Sequence, residues 1–67
     1  MIETLDILVV DDEPGMRLGI LRSLRNFSVS IAELDLHVEF ATAEAATGEE
    51  AIERIRSQKP DILLLDH

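Results

Sequence analysis

Three aspartates carry the chemistry that stands out in this 67-residue chain: Asp11, Asp12 and Asp66. Each follows an apolar run, Ile7-Leu8-Val9-Val10 leading into Asp11-Asp12-Glu13-Pro14 and Ile62-Leu63-Leu64-Leu65 leading into Asp66. Carboxylates brought close together repel, and a hard divalent cation relieves that repulsion through the oxygen ligands it prefers. Mg²⁺ suits such a site because it binds through a few carboxylates and keeps waters for a phosphate-bearing substrate. In that arrangement Asp12 ligates directly and Asp11 through water. If one carboxylate is the nucleophile, forming an aspartyl phosphate, Asp66 is the best placed. Glu13 either supports the cluster or starts the following helix.

A plainer reading of the same acids is available. Carboxylates after a buried strand are often helix caps, and Asp12 or Glu13 suits that role. His67 reads as a terminal surface residue, and His37 carries still less signal. Gly15, Gly19 and Gly48 form no phosphate-binding loop, and neither a dinucleotide fingerprint nor a Walker sequence is present.

The elements that must position the acids follow from periodicity. An unbroken apolar run reads as a strand buried on both faces, here from about 6 to 10. Pro14 suits the first turn of a helix, where its fixed φ and missing N–H cost little. Leu18, Leu21 and Leu24, broadened by Met16 and Ile20, then form an amphipathic stripe, with Arg17, Arg22 and Arg25 on the remaining surface. Phe27, Ile31 and Leu34 continue the stripe at spacings of four and three, which favours one helix over 14–34. Ser28, Val29 and Ser30 weaken helix propensity, so a stop near Asn26 followed by a loop or short second helix is the competing reading. A second strand is predicted over 38–43. Thr47 can cap the next helix, with Glu50 completing a capping box. That helix turns Ala51, Ile52 and Ile55 inward and ends before Pro60. A third strand begins at about 61.

The order is β-α-β-α-β, and parallel pairing of the two apolar runs would bring Asp11, Asp12 and Asp66 to one carboxyl edge, where open α/β sheets place their chemistry. Parallel strands need helical crossovers to cover both faces. An incomplete sheet is therefore expected from a chain with three strands and two helices.

Bulk properties narrow the function classes. Fourteen acids against six bases give a net charge of −8, which disfavours phosphate-neutralising nucleic-acid binding. Cysteine is absent, which removes disulfides and thiolate metal sites. The two aromatics, Phe27 and Phe40, leave the core aliphatic. With neither a basic, apolar leader nor a run of the roughly 18 to 20 apolar residues that span a bilayer, a soluble, cytoplasmic protein without a membrane partner is expected.

Taken together, the first apolar run with its acids, Thr47-Gly48-Glu49-Glu50-Ala51, and Lys59-Pro60-Asp61-Ile62-Leu63-Leu64-Leu65-Asp66 resemble a two-component response-regulator receiver domain, CheY-like, in its N-terminal portion. The resemblance implies a doubly wound, flavodoxin-like parallel sheet, of which residues 1–67 supply the first three strands and two helices. It implies Asp11 and Asp12 as the acidic metal-site pair and Asp66 as phosphoacceptor and a third metal-site residue. The activity it implies is phosphorelay signalling, with Mg²⁺-dependent transfer from a histidine kinase or phosphotransfer protein.

Two departures are evident against that pattern. The interval from Pro14 to Val38 is several residues longer than usual, and the turn after Ala43 is expanded. The family's metal-ligating carbonyl beyond the phosphoacceptor, its switch Ser or Thr, its phosphate-contacting Lys and its last two strands have no counterpart before His67. Phosphotransfer would then require a complementing receiver half or a second copy. The alternative is a non-catalytic structural or interaction fragment that self-associates. Whether the chain is an enzyme is left open.

Overall fold

A computed structural model of the protein describes residues 1–65. In chain order it forms strand β1 (Ile2–Val10), helix α1 (Pro14–Arg25), strand β2 (Ser28–Ile31), a single 3₁₀ turn (Ala32–Leu34), strand β3 (Leu36–Ala45), helix α2 (Gly48–Ser57) and strand β4 (Ile62–Leu65).

Both helices begin where local chemistry prepares them. Pro14 opens α1, and the Glu13 side chain accepts the Met16 amide at 2.6 Å. The Glu13 amide in turn donates to Asp11 Oδ1 at 2.9 Å. At α2, Thr47 Oγ1 accepts the Glu50 amide at 3.1 Å, while Glu50 Oε2 accepts the Ala46 amide at 3.4 Å. The reciprocal half of this box thus falls one residue before the cap. Arg22 and Arg25 occupy the last turn of α1, and Arg54 and Arg56 that of α2, where cations favour the helix dipole.

The helix does not run to Leu34. It ends at Arg25, and Ser28–Ile31 instead pairs antiparallel with β3, from Ser28↔Glu39 to Ile31↔Leu36. The apolar spacing at Phe27, Ile31 and Leu34 mimics a helical stripe, but the β-branched and hydroxyl residues between them suit a strand. Asp35 closes the connection in the left-handed region (φ 50°), which a short polar side chain tolerates. The N-terminal ammonium reinforces the turn by donating to the Asp35 carbonyl at 2.7 Å.

The sheet order is β2-β3-β1-β4. β1 lies inside it, parallel to β3 from Ile2↔His37 to Val10↔Ala45 and parallel to β4 from Ile7↔Ile62 to Val10↔Leu65. Two thin apolar layers result. Ile7 and Val9 pack beneath Leu21 of α1 with Ile20, Leu24 and Phe40, whereas Leu8 and Val10 pack with Ala45 and Ala51, joined by Ala43 and Ile55. The two helices therefore cover opposite faces of β1. Phe27 stacks on Phe40, ring centroids 5.6 Å apart, so both aromatics lie on the α1 side.

This architecture corrects the expected fold. A flavodoxin-like, doubly wound sheet is open and parallel, with helical crossovers between its strands. Here the sheet is mixed and curls into a half-barrel, and β2 reaches β3 through a short turn that only an antiparallel pair can use. The resemblance to a response-regulator receiver domain fails on the same ground. The expected burial of the last apolar run fails too, since β4 is exposed on both faces, from Ile62 at 36% through Leu64 at 39% and Leu63 at 47% to Leu65 at 66%.

Candidate functional site

Asp11 sits one residue beyond the end of β1, and the ladder to β3 carries on into it: its amide donates to the Ala45 carbonyl at 3.1 Å. Only 3% of the residue is exposed. One carboxylate oxygen, Oδ1, accepts the Glu13 amide, while Oδ2 is buried and has no hydrogen-bond partner among the described residues. A buried carboxylate oxygen without a partner is costly, and such atoms mark places where a ligand can be held.

Arg17 closes the same corner from α1. Its Nη1 donates to the Asp11 carbonyl at 2.7 Å, and its Nε donates to Glu44 Oε1 at 2.9 Å. Its guanidinium thus bridges the end of β1 to β3. The helical stripe by itself places Arg17 on the outer surface of α1, whereas in the fold it is half-buried against β1 and β3. Asp12 and Glu13 are exposed, and Glu13 is occupied as the α1 cap, so of its two readings the helix-starting role is the one realised.

Among the described residues, no group of three or more His, Asp or Glu side chains is placed to hold a metal ion. Asp66 and His67 lie outside the described residues. The expected function, an Mg²⁺-assisted phosphoacceptor in a phosphorelay, is corrected accordingly. The receiver framework that would assemble such a site is not the one formed, and Asp11 and Asp12 gather no third described ligand. The receiver, response-regulator and phosphoprotein descriptions fall with it.

His37, given little weight in the sequence, has a clear structural task. Its Nδ1 lies 2.9 Å from Ser30 Oγ and its Nε2 lies 3.2 Å from Glu39 Oε1. A neutral ring protonated on Nε2 satisfies both contacts at once. It ties β2 to β3 at the pair Ser30↔His37. The signal that could have revealed this is the alternation of His37 and Glu39, which places both on one face of a strand.

A cleft of about 380 Å³ lies under α2, lined by Asp6, Leu8, Ala41, Ala43, Arg54 and Gln58 among others. Two of its lining side chains are joined, Gln58 Nε2 donating to Asp6 Oδ2 at 3.1 Å, and the Asp6 amide is held from outside the lining by Asp61 Oδ2 at 2.8 Å. It adjoins the middle of β1, away from Asp11, and presents no nucleophile paired with a base.

No described helix is long and apolar enough to cross a membrane. Comparison with known proteins finds no matching family model, no matching curated protein and no matching solved structure.

Proposed function

We propose that this chain is a non-catalytic interaction module that works by associating with a second copy of itself, as a soluble and cytoplasmic protein. The observation that carries the reading is surface in excess of what a chain this size exposes when fully packed. A compact monomer of 7.5 kDa exposes roughly 4,250 Å², and this one exposes 4996 Å². The difference, about 750 Å², is close to the ~800 Å² that each partner buries in a standard interface. The radius of gyration agrees: it is 13.1 Å, against roughly 11 Å for a compact chain of this length.

The uncovered surface is apolar where it matters. β4 carries four consecutive aliphatic side chains, all exposed, although parallel strands are ordinarily covered on both faces. On the α1 side, a shallow groove of about 420 Å³ runs past Met16, Ile20 and Leu24. Exposed apolar surface of this kind marks association sites. Sedimentation equilibrium over a hundredfold range of protein concentration tests the reading. Mass should approach twice that of the chain as concentration rises, and a folded monomer throughout would end it.

A second reading concerns the acidic corner and rests on the buried Asp11 Oδ2, which has no partner among the described residues. We propose that Asp11 and its exposed neighbour Asp12 bind a hard divalent cation such as Mg²⁺, in a structural rather than a catalytic role. The donor set fits in kind, since both groups are carboxylates and an exposed second ligand leaves room for the waters Mg²⁺ retains. Calorimetric titration with Mg²⁺ tests it, and no heat beyond dilution would remove it.

A further inference from the structure

This inference rests on the self-association just proposed and specifies its geometry. We infer that two copies join their β4 edges antiparallel about a two-fold axis through Leu64, so that the two four-stranded sheets become one.

Among the described residues the sheet has two open edges, β2 and β4. A chain of net charge −8 meets its own copy at least electrostatic cost where neither presents a carboxylate. β2 is bordered by Glu33, Asp35 and Glu39, and its register places Ser28 opposite Glu39. The described residues of β4 are Ile-Leu-Leu-Leu, without a polar side chain, whereas β2 itself carries Ser28 and Ser30; Asp66, which follows β4 in sequence, lies outside the described residues. The acid that precedes it, Asp61, is turned back onto β1: its carboxylate accepts the Asp6 amide, and its own amide donates to the Asp6 carbonyl, both at 2.8 Å. An apolar edge that no other described strand pairs with is the kind that pairs with another chain.

The ladder determines which backbone groups are free. In a parallel sheet, successive residues turn their amide and carbonyl groups to opposite neighbours. Because the Asp11 amide donates to the Ala45 carbonyl, the odd-numbered residues at this end of β1 bond β3, and the even-numbered Leu8 and Val10 bond β4. Leu8 stands opposite Leu63, so its partners in β4 are the flanking residues Ile62 and Leu64. The amides and carbonyls of Leu63 and Leu65 are left facing the open edge.

The pleat then restricts the register. Ile62 and Leu64 share a face with Ile7 and Val9, the α1 side, and Leu63 and Leu65 share a face with Leu8 and Val10. An axis perpendicular to the sheet keeps like faces together, so each residue must meet one of its own parity. Any residue of β4 can serve as the centre, but centring on Ile62 or Leu65 pairs only that residue within β4, so two registers compete. Centring on Leu63 gives one hydrogen-bonded pair within β4, Leu63 with its own copy. Centring on Leu64 gives two, Leu63 with Leu65 of the second copy and the reciprocal pair. The second register therefore doubles the hydrogen bonds made by the same four residues. It sets Leu64 against its own copy in the non-hydrogen-bonded position, where Cα atoms approach to about 4.5 Å.

The absence of native cysteine makes cross-linking a clean test. Under oxidised glutathione, L64C should form a disulfide-linked dimer, because about 4.5 Å lies within the range a disulfide spans. L63C alone should cross-link at least tenfold more slowly, its copies being diagonal, while an equal mixture of L63C and L65C should cross-link readily. V29C on the β2 edge should remain monomeric. Equal or faster cross-linking by V29C or L63C would overturn the geometry. Amide exchange on the unmodified chain gives a second readout: Leu63 and Leu65 should gain protection as concentration rises, while Leu64 should be protected throughout. Protection that rises at β2 and not at Leu63 and Leu65 would likewise overturn it. In either case a dimer by sedimentation leaves self-association standing, whereas a monomer removes both.

Discussion

Arg17 lies 2.7 Å from the carbonyl oxygen of Asp11, and that bond fastens the start of α1 to the end of β1. The same guanidinium reaches Glu44 on β3, with only 16% of the Arg17 side chain exposed. Hydrogen bonds to a charged donor contribute more than neutral ones, so Arg17→Ala should cost about 1.5–3 kcal/mol in urea unfolding. Arg17→Lys should recover less than half of that, because an ammonium lacks the planar fork that serves a carbonyl and a carboxylate together. Full recovery by lysine would reduce the contact to simple charge pairing.

Asp11 Oδ2, buried and without a partner among the described residues, gives a separate expectation. If the acidic corner binds Mg²⁺, a concentration ten times the dissociation constant should stabilise the folded chain by about 1.4 kcal/mol, seen as a rise in melting temperature. Asp11→Asn keeps the oxygen that accepts the Glu13 amide and replaces the free one with an amide group. The Mg²⁺-dependent rise should disappear in that variant. An equal rise in both proteins would place the cation elsewhere.

Thr47 shows how far local sequence chemistry reaches. Its hydroxyl holds the Glu50 amide as the spacing predicts, and Thr47→Ala should lower stability by about 1 kcal/mol without moving the ends of β1 or β3. Far-ultraviolet circular dichroism during thermal unfolding measures this, and a change below a few tenths would mean the Ala46 contact to Glu50 carries the cap.

What was legible in the residues follows the same division. The end of β1, the start of α1, the Thr47 cap and the stop before Pro60 are written in nearest neighbours and form where their signals lie, whereas β1 begins at Ile2, ahead of the start expected at about 6, because its first residues pair with the distant β3. β2 is not, because the apolar spacing of Phe27, Ile31 and Leu34 fits a helix as well as a hairpin. The choice is made by the distant partners Leu36 and Glu39. The same holds for the candidate site. Asp11 was visible as an acid at a strand end, but its burial depends on Ala45, and the reach of Arg17 to Glu44 depends on where β3 ends. The apolar run of β4 predicted burial. It is exposed because hydrophobicity marks the preference for cover and does not supply what covers it.

Leu8 and Leu65 separate those two situations experimentally. Leu8 is buried in the layer under α2, and Leu8→Ala should cost about 2–5 kcal/mol, enough to unfold most of so small a domain. Leu65 is 66% exposed in the single chain, so Leu65→Ala should leave the fold of dilute protein nearly unchanged and weaken association instead. Denaturant titration at low and high protein concentration distinguishes the two. A large loss for Leu65→Ala at high dilution would show that β4 is needed within one chain.

Charge provides the last expectation. Two chains of net charge −8 repel at a distance, and salt shortens that repulsion, from a screening length of about 8 Å at 0.15 M to 3 Å at 1 M. An interface built on the uncharged residues of β4 loses nothing to screening, so its association constant should rise with NaCl. An interface held by ion pairs would weaken. Leu64→Lys should abolish association at every salt concentration below about 1 M, because it places two ammonium groups opposite each other across the joined edges. The dilute chain should still fold, since Leu64 is partly open to solvent on its own. Sedimentation of both proteins across a salt series tests this, and a Leu64→Lys chain that associates as strongly as the unmodified one would move the interface off β4 altogether.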